Sequence, residues 1–227
     1  MAMMCRFLSP QDIEQVRLLC RDWFPIEYPD TWYQEITSNP RFFSLAATLS
    51  GSIAGLIVAE TKELGQLAKE DRTLLANCFR GPTSKVCYIL SLGVSQQVRK
   101  QGIASLLLEQ LIAHLTSDAG SPVRALYLHV LTTNSQAISF YEHRGFQVHS
   151  FLPYYYAIKG KRKDGYTHVL YLNGGHPSWG ALDYVKLAGL TLCSLSPHRA
   201  LARLCSRLTG AWLQLRRIAH SSQALFS

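Results

Sequence analysis

The sequence predicts an α/β (α+β) fold in which a mixed, twisted sheet carries helices on its faces. Apolar runs of strand length, such as Phe42–Leu49 and Val86–Val94, alternate with helical patterns. The helical stretches carry their apolar residues on one stripe, as helices resting on a sheet do. The last two apolar runs, Val148–Ile158 and Tyr166–Leu172, follow each other closely and suggest a long C-terminal hairpin.

Taken in order, Arg6–Leu8 reads as a short first strand. Pro10 opens a helix with Ile13, Val16, Leu19 and Cys20 on one face. The chain breaks at Phe24-Pro25-Ile26-Glu27-Tyr28-Pro29, and a second short helix starts near Asp30, a residue able to cap it. Phe42–Leu49 and Ile53–Glu60 are strands joined by a tight turn at Ser50-Gly51. Residues 61–84 are polar and read as a connector without assigned structure. Val86–Val94 is a strand, and Gly102–Leu115 a helix striped by Ile103, Leu106, Leu107, Leu111 and Leu115. Ala125–Leu131 is a strand, and Ser135–Arg144 a helix closed by Gly145 where a left-handed cap is wanted. The final hairpin runs through Gly160 and Asp164-Gly165.

With 227 residues, 48% of them apolar, the chain has room for one sizeable core with an appendage. The expected division is a globular domain over 1–177 and a C-terminal segment over 178–227. Cys5, Cys20, Cys78, Cys87, Cys193 and Cys205 show no CxxC and no histidine at ligand spacing, so free thiols and no metal site are expected. The start, MAMMCRFLSP, has no apolar h-region, and no run of apolar residues is long enough for a membrane span. The net charge is +8, and most of it comes after residue 176, where six basic residues face only Asp183. The basicity is thus a property of the tail, and no nucleic-acid partner is expected. In that tail Leu201, Leu204, Leu208, Ala211, Trp212, Leu215 and Ile218 recur at helical steps, with Arg199, Arg203 and Arg207 on another stripe. This is the pattern of a basic amphipathic helix lying in an anionic membrane surface. Docking on the domain, or on a second copy in a homodimer, is the alternative.

The segment Arg99-Lys100-Gln101-Gly102-Ile103-Ala104 joins a strand to the long helix. Small residues at 102 and 104 allow close approach of a ligand to backbone, and the first helical N–H groups stand unpaired at the positive end of the dipole. Such a junction suits a pyrophosphate. It matches neither the Walker pattern nor GxGxxG. Downstream, Ala137-Ile138-Ser139-Phe140-Tyr141-Glu142-His143-Arg144-Gly145-Phe146 sets a tyrosine on a helix just before a glycine-closed turn.

R-x-x-G-x-A followed by A-x-x-F-Y-x-x-x-G-F, with a strand containing Leu128-His129-Val130 between them, resembles the GNAT superfamily of acetyltransferases. Over most of residues 6–180 the chain is similar to the NatF type of protein N-terminal acetyltransferase. That similarity rests on Phe24–Tyr28, Tyr88–Val94, Leu128–Asn134, Leu152–Tyr156 and the Asn-Gly-Gly-His-Pro at 173–177. The start, the connector 61–84 and the last thirty residues depart from it.

The resemblance implies the GNAT fold, with central strands splayed to bind acetyl-CoA. Its coenzyme contacts would come from Leu90, Ser91 and Leu92 on the strand and from Val98, Arg99, Lys100, Gln101, Gly102, Ile103 and Ala104 at the helix start. Asn134, Tyr141, Glu142, His143 and Arg144 would complete them. Phe24, Pro25, Ile26, Glu27, Tyr28, Leu90, Tyr155 and Tyr156 would bind the acceptor peptide. The expected acceptors are the N-termini of transmembrane proteins, with Met followed by an apolar or Lys residue, met at the cytosolic face of the Golgi. An α-amine, with a pKa of about 8, is easier to deprotonate near neutrality than a lysine at about 10.4. His129 suits the general base, acting directly or through water, and Tyr88 would position that water. No Ser-His-Asp or Cys-His arrangement is evident, so direct transfer is expected. Two other readings stand beside this one: a lysine or histone acetyltransferase, and a catalytically silent acyl-CoA-binding membrane adaptor.

Overall fold

The computed structural model describes residues 3–79, 83–117 and 121–178. The amphipathic tail expected after residue 178, and with it Cys193 and Cys205, lies outside the described residues. The strands are β1 (Met3–Phe7), β2 (Phe42–Leu49), β3 (Ser52–Glu63), β4 (Lys85–Val94), β5 (Val123–Leu131), β6 (Gln147–Ile158) and β7 (Lys161–Tyr171). The helices are α1 (Ile13–Trp23), α2 (Asp30–Ser38), α3 (Ile103–Thr116) and α4 (Ser135–Glu142). The strands form a single mixed sheet in the order β1-β2-β3-β4-β5-β7-β6, and β4 with β5 is its parallel pair.

Helices cover both faces. On one, Leu107, Leu108, Leu111 and Leu115 of α3, together with Tyr141 of α4, pack on Ile57, Cys87, Ile89, Leu126 and Leu128. On the other, Val16 and Cys20 of α1 and Tyr33 and Ile36 of α2 pack on Ala46, Leu56 and Val58. The α/β expectation and its α3 stripe are observed, with one shift: Leu108 is fully buried whereas Leu106 is only half-buried. The turn at Ser50-Gly51 has φ of 50° and 84°, the two left-handed residues of a type I′ hairpin.

Two expectations are corrected. Asp30 does not cap α2: Pro29 is the cap residue, and Asp30 sits in the first turn, where its carboxylate pairs with Arg17 of α1. Asp164-Gly165 is no turn. The hairpin reverses at Lys159-Gly160, with φ of 48° and 73°, and residues 164 and 165 lie inside β7. In the connector 61–84, to which the sequence assigned no structure, β3 runs on to Glu63 and three short 3-10 turns follow it. Leu67, Leu74 and Leu75 of this stretch are buried against Val86, Ala125, Tyr127 and Val169.

His168 on β7 is fully buried, and neither ring nitrogen has a hydrogen-bond partner. Burial holds its pKa below the ordinary 6.5, and the Glu142 carboxylate, 3.9 Å from Nε2, offsets this only in part. The fold therefore favours the neutral ring, so this contribution to stability is complete above pH 6.5 and is lost as pH falls. His168→Leu should accordingly lose less Tm than the parent between about pH 7 and about pH 5. Equal losses in thermal melts would clear this ring.

Candidate active site

The site exists because β4 and β5 separate. They pair over Lys85–Tyr88 and Val123–Tyr127, and beyond that point no bridge joins them. β4 stays paired with β3 to Val94, and β5 with β7 to Leu131, so the strands diverge like the arms of a V. Leu90 helps to shape one arm. The register of β4 on β3 skips it, since Val58 faces Ser91 and Ala59 faces Ile89. A one-residue bulge reverses the alternation of side chains. Cys87 and Ile89 thus face α3 before the bulge, and Leu92 and Val94 do so after it.

Two clefts open onto this gap. The first, about 680 Å³, runs along β4 to the start of α3 and is lined by Leu92, Val98, Arg99, Lys100, Gly102, Ile103, Ala104, Asn134, Tyr141 and Arg144. The second, about 390 Å³, lies between the arms and is lined by Ile26, Tyr28, Tyr88, Leu90, Ser91, His129, Tyr155 and Tyr156. Phe24, Pro25, Leu92, Asn134, Ala137 and Tyr141 border both, so the two are contiguous. Gln101, Glu142, His143 and Glu27 line neither. On α4 the reason is helical period. Ala137, Phe140 and Tyr141 share the face turned to the cleft and Arg144 follows in the turn after the helix, whereas Glu142 falls on the far side.

At the first cleft Gly102 has φ 83° and is the N-cap residue of α3. The first helical bond runs from the Leu106 N–H to the Gly102 carbonyl at 2.9 Å. The amides of Ile103, Ala104 and Ser105 are left without intrahelical acceptors. Arg99 donates through Nε to the Val94 carbonyl at 3.1 Å, fixing its side chain to the end of β4. Arg144 stacks on Phe140, 3.8 Å from the ring centre, and its guanidinium donates to the Ser105 hydroxyl on α3. Backbone donors, the dipole of a fourteen-residue helix and these cations together make an anion site. The backbone also comes close at Gly93, where a Cβ would stand 2.5 Å from Trp23 and 2.9 Å from Phe24. Asn134 caps α4, its Oδ1 accepting from the Ala137 N–H at 3.2 Å, and it lines both clefts as well.

At the second cleft His129 is held on three sides. Its Nε2–H donates to Asp71 Oδ1 at 2.9 Å, and the two side chains are each 3% exposed. Nδ1 is thereby left as an acceptor, taking the Tyr155 hydroxyl at 2.7 Å with the Tyr88 hydroxyl at 3.2 Å. The Tyr127 ring packs edge-on against the imidazole. Burial raises the Tyr88, Tyr127 and Tyr141 pKa values and pushes Tyr155 up to about 12, so these hydroxyls keep their protons, and those of Tyr88 and Tyr155 face Nδ1 as donors. Burial also pushes the thiols of Cys20 and Cys87 up to about 12, which leaves neither as a thiolate nucleophile.

Asp71 is the functional side chain that the sequence reading missed. It comes from the connector, where the 3-10 turn Lys69–Asp71 delivers it buried beneath His129. The faint signal for it was the spacing of Leu67, Leu74 and Leu75, which pins the connector to the sheet on either side.

The sequence profile described as the acetyltransferase (GNAT) family matches residues 13–146. N-alpha-acetyltransferase 60 of Xenopus tropicalis is 59% identical over 192 residues, covering 85% of this chain and 79% of that protein. A crystal structure of Arabidopsis thaliana NAA60 in complex with acetyl-CoA superposes with a TM-score of 0.68 at 28% identity, over 76% of this chain and 100% of that one. The same plant protein in complex with a bisubstrate analogue gives a TM-score of 0.67 at 29% identity, over 76% and 99%.

Proposed function

Because this chain belongs to the acetyltransferase (GNAT) family, we propose that it transfers the acetyl group of acetyl-CoA to the N-terminal α-amine of proteins. The observation that carries the reading is the junction of the two clefts, which brings an anion site into one continuous groove with a tyrosine–histidine–aspartate cluster whose histidine and aspartate side chains are buried. The first cleft fits the coenzyme. The free amides of α3 with Arg99, Lys100 and Arg144 would hold its phosphates, and the unpaired edge of β4 from Leu90 to Leu92 would hold its pantetheine amides. Bound there, acetyl-CoA supplies an acetyl group activated as a thioester.

The chain's own residues do the rest. Phe24, Pro25 and Ile26 offer an apolar pocket at the cleft mouth to the first side chain of the peptide. His129 takes the proton of the α-ammonium at Nδ1, and Asp71 steadies the imidazolium that results. The Tyr155 and Tyr88 hydroxyls lie on the path to Nδ1. Each can pass its own proton on while accepting one from the amine or from a bridging water, so the relay conserves protons. Tyr141, protonated and bordering both clefts, is placed to stabilise the departing thiolate by a hydrogen bond, and the thiolate leaves as a thiol on taking the proton that the attacking nitrogen sheds as the amide forms. The buried thiols offer no covalent intermediate, which favours direct transfer.

The preferred acceptors are N-termini beginning with Met followed by an apolar or Lys residue, carried by membrane proteins. The assay is acetyl-CoA turnover on peptides starting Met-Leu, Met-Lys and Ser-Glu beside an N-blocked lysine peptide. Turnover on the Met peptides is expected, whereas turnover confined to the blocked lysine peptide would replace this reading with that of a lysine acetyltransferase. The tail pattern supports peripheral attachment to an anionic membrane surface, each basic residue adding about 1 kcal/mol near such lipid, and the cytosolic face of the Golgi is the location that the family resemblance implies for it. The full chain should sediment with anionic liposomes. Arg199→Glu, Arg203→Glu and Arg207→Glu together should release it, and unchanged sedimentation of this triple variant would refute the attachment.

A further inference from the structure

The register of β6 on β7 breaks in the middle of the hairpin. Leu152 faces Gly165, and the next pair is Tyr156 with Lys163. Three residues, Pro153, Tyr154 and Tyr155, therefore stand opposite the single residue Asp164. A bulge of this size costs its strand the ladder bonds of the residues it expels. Pro153 has no N–H to lose. Tyr154 takes φ 55°, a left-handed conformation that a tyrosine adopts only under constraint, and its side chain is 66% exposed, so packing does not impose that conformation.

The constraint comes from Asp164. Its Oδ1 accepts the Tyr154 N–H at 2.8 Å, replacing the ladder partner that the bulge removed. Its carbonyl accepts the Thr132 N–H at 3.1 Å, at the end of β5. One residue thus ties the bulge to the strand that carries His129. The residue after the left-handed turn is Tyr155, whose hydroxyl reaches His129 Nδ1. Gly165, beside it, leaves room for the next ring: a Cβ there would come within 3.0 Å of Tyr156 and 3.3 Å of the Val130 carbonyl.

We infer that Asp164 is a positioning residue for the reaction: by holding the Tyr154 amide it fixes the β6 bulge and aims the Tyr155 hydroxyl at His129. The inference rests on the reading of His129 as the base. Asp164 borders neither cleft, so its effect on catalysis passes through Tyr155.

The test uses the full chain and steady-state kinetics on a Met-Leu peptide, with thermal melts as a fold control. Asp164→Ala should lower kcat about tenfold or more through misplacement of the hydroxyl, with the KM for acetyl-CoA unchanged. Asp164→Asn, whose amide oxygen still accepts the N–H, should retain most of the rate. In a Tyr155→Phe background, Asp164→Ala should add little further loss, since both changes remove the same contact. Tyr154→Gly placed on Asp164→Ala should recover rate, because glycine takes a positive φ without help. This double variant also keeps the test open if Asp164→Ala alone folds poorly. Additive losses in the Tyr155→Phe background, or a drop in Tm with kcat untouched, would overturn the inference. If His129→Ala retained full turnover, the reading of the base would fall first, whatever Asp164 did.

Discussion

His129→Ala should lower kcat by about 10²–10⁴-fold, the range that a positioned proton acceptor contributes, while acetyl-CoA still binds. The separation follows from where the residues sit. The candidate phosphate-holding groups belong to the start of α3 and to Arg144, whereas His129 lies on β5 between the arms of the V. Alanine leaves Tyr88 and Tyr155 with no imidazole to receive a proton, and Asp71 with a buried carboxylate facing a void. Calorimetric titration with the coenzyme and single-turnover rates on a Met-Leu peptide read the two effects independently. Coenzyme affinity lost in step with turnover would mean that the histidine holds the fold of the site and not the proton.

Asp71→Asn should cost about 10²–10⁴-fold in kcat, the range set by loss of the proton acceptor, with little change in Tm. The substitution preserves shape and changes only what can be donated. A carboxylate accepts from Nε2–H and so leaves the Nδ1 lone pair facing the tyrosines. An asparagine can turn its NH₂ toward Nε2 instead, which moves the ring proton to Nδ1 and abolishes the acceptor. The asparagine also brings no charge to balance the imidazolium formed during transfer. Near-parental kcat for Asp71→Asn would remove Asp71 from the mechanism and leave it as a core ligand of the connector.

These two residues mark the division between what was legible in the sequence and what was not. The helix–strand order, the Ser50-Gly51 hairpin and the glycine closing α4 follow local rules of period and backbone freedom, so they could be read directly. The anion-binding character of Arg99–Ala104 was legible because a helix start advertises its chemistry in a few adjacent residues, whereas its grouping with Tyr141 and Arg144 came from the family resemblance. Asp71 was not, as it meets His129 across 58 positions of sequence from a stretch with no periodicity. The Asp164-Gly165 pair was misleading for a related reason. It has the composition of a turn, yet its glycine serves the Tyr156 ring and its aspartate serves the bulge. The reach of Tyr155 to His129 depends on that bulge, and alternation along an unbroken strand cannot foresee it.

The parting of β4 and β5 beyond Tyr88 and Tyr127 also has a consequence for isotope labelling. The β4 amides turned toward the gap have no strand partner, although their neighbours on the same strand are locked to β3. In the free protein, the peptide covering Leu90–Val94 should show two populations of deuterium uptake, one fast and one slow. A ligand that bonds to the open edge converts the fast set to the slow. Occupancy of the groove can therefore be followed from the backbone of a single strand, without a chromophore, a substrate or turnover.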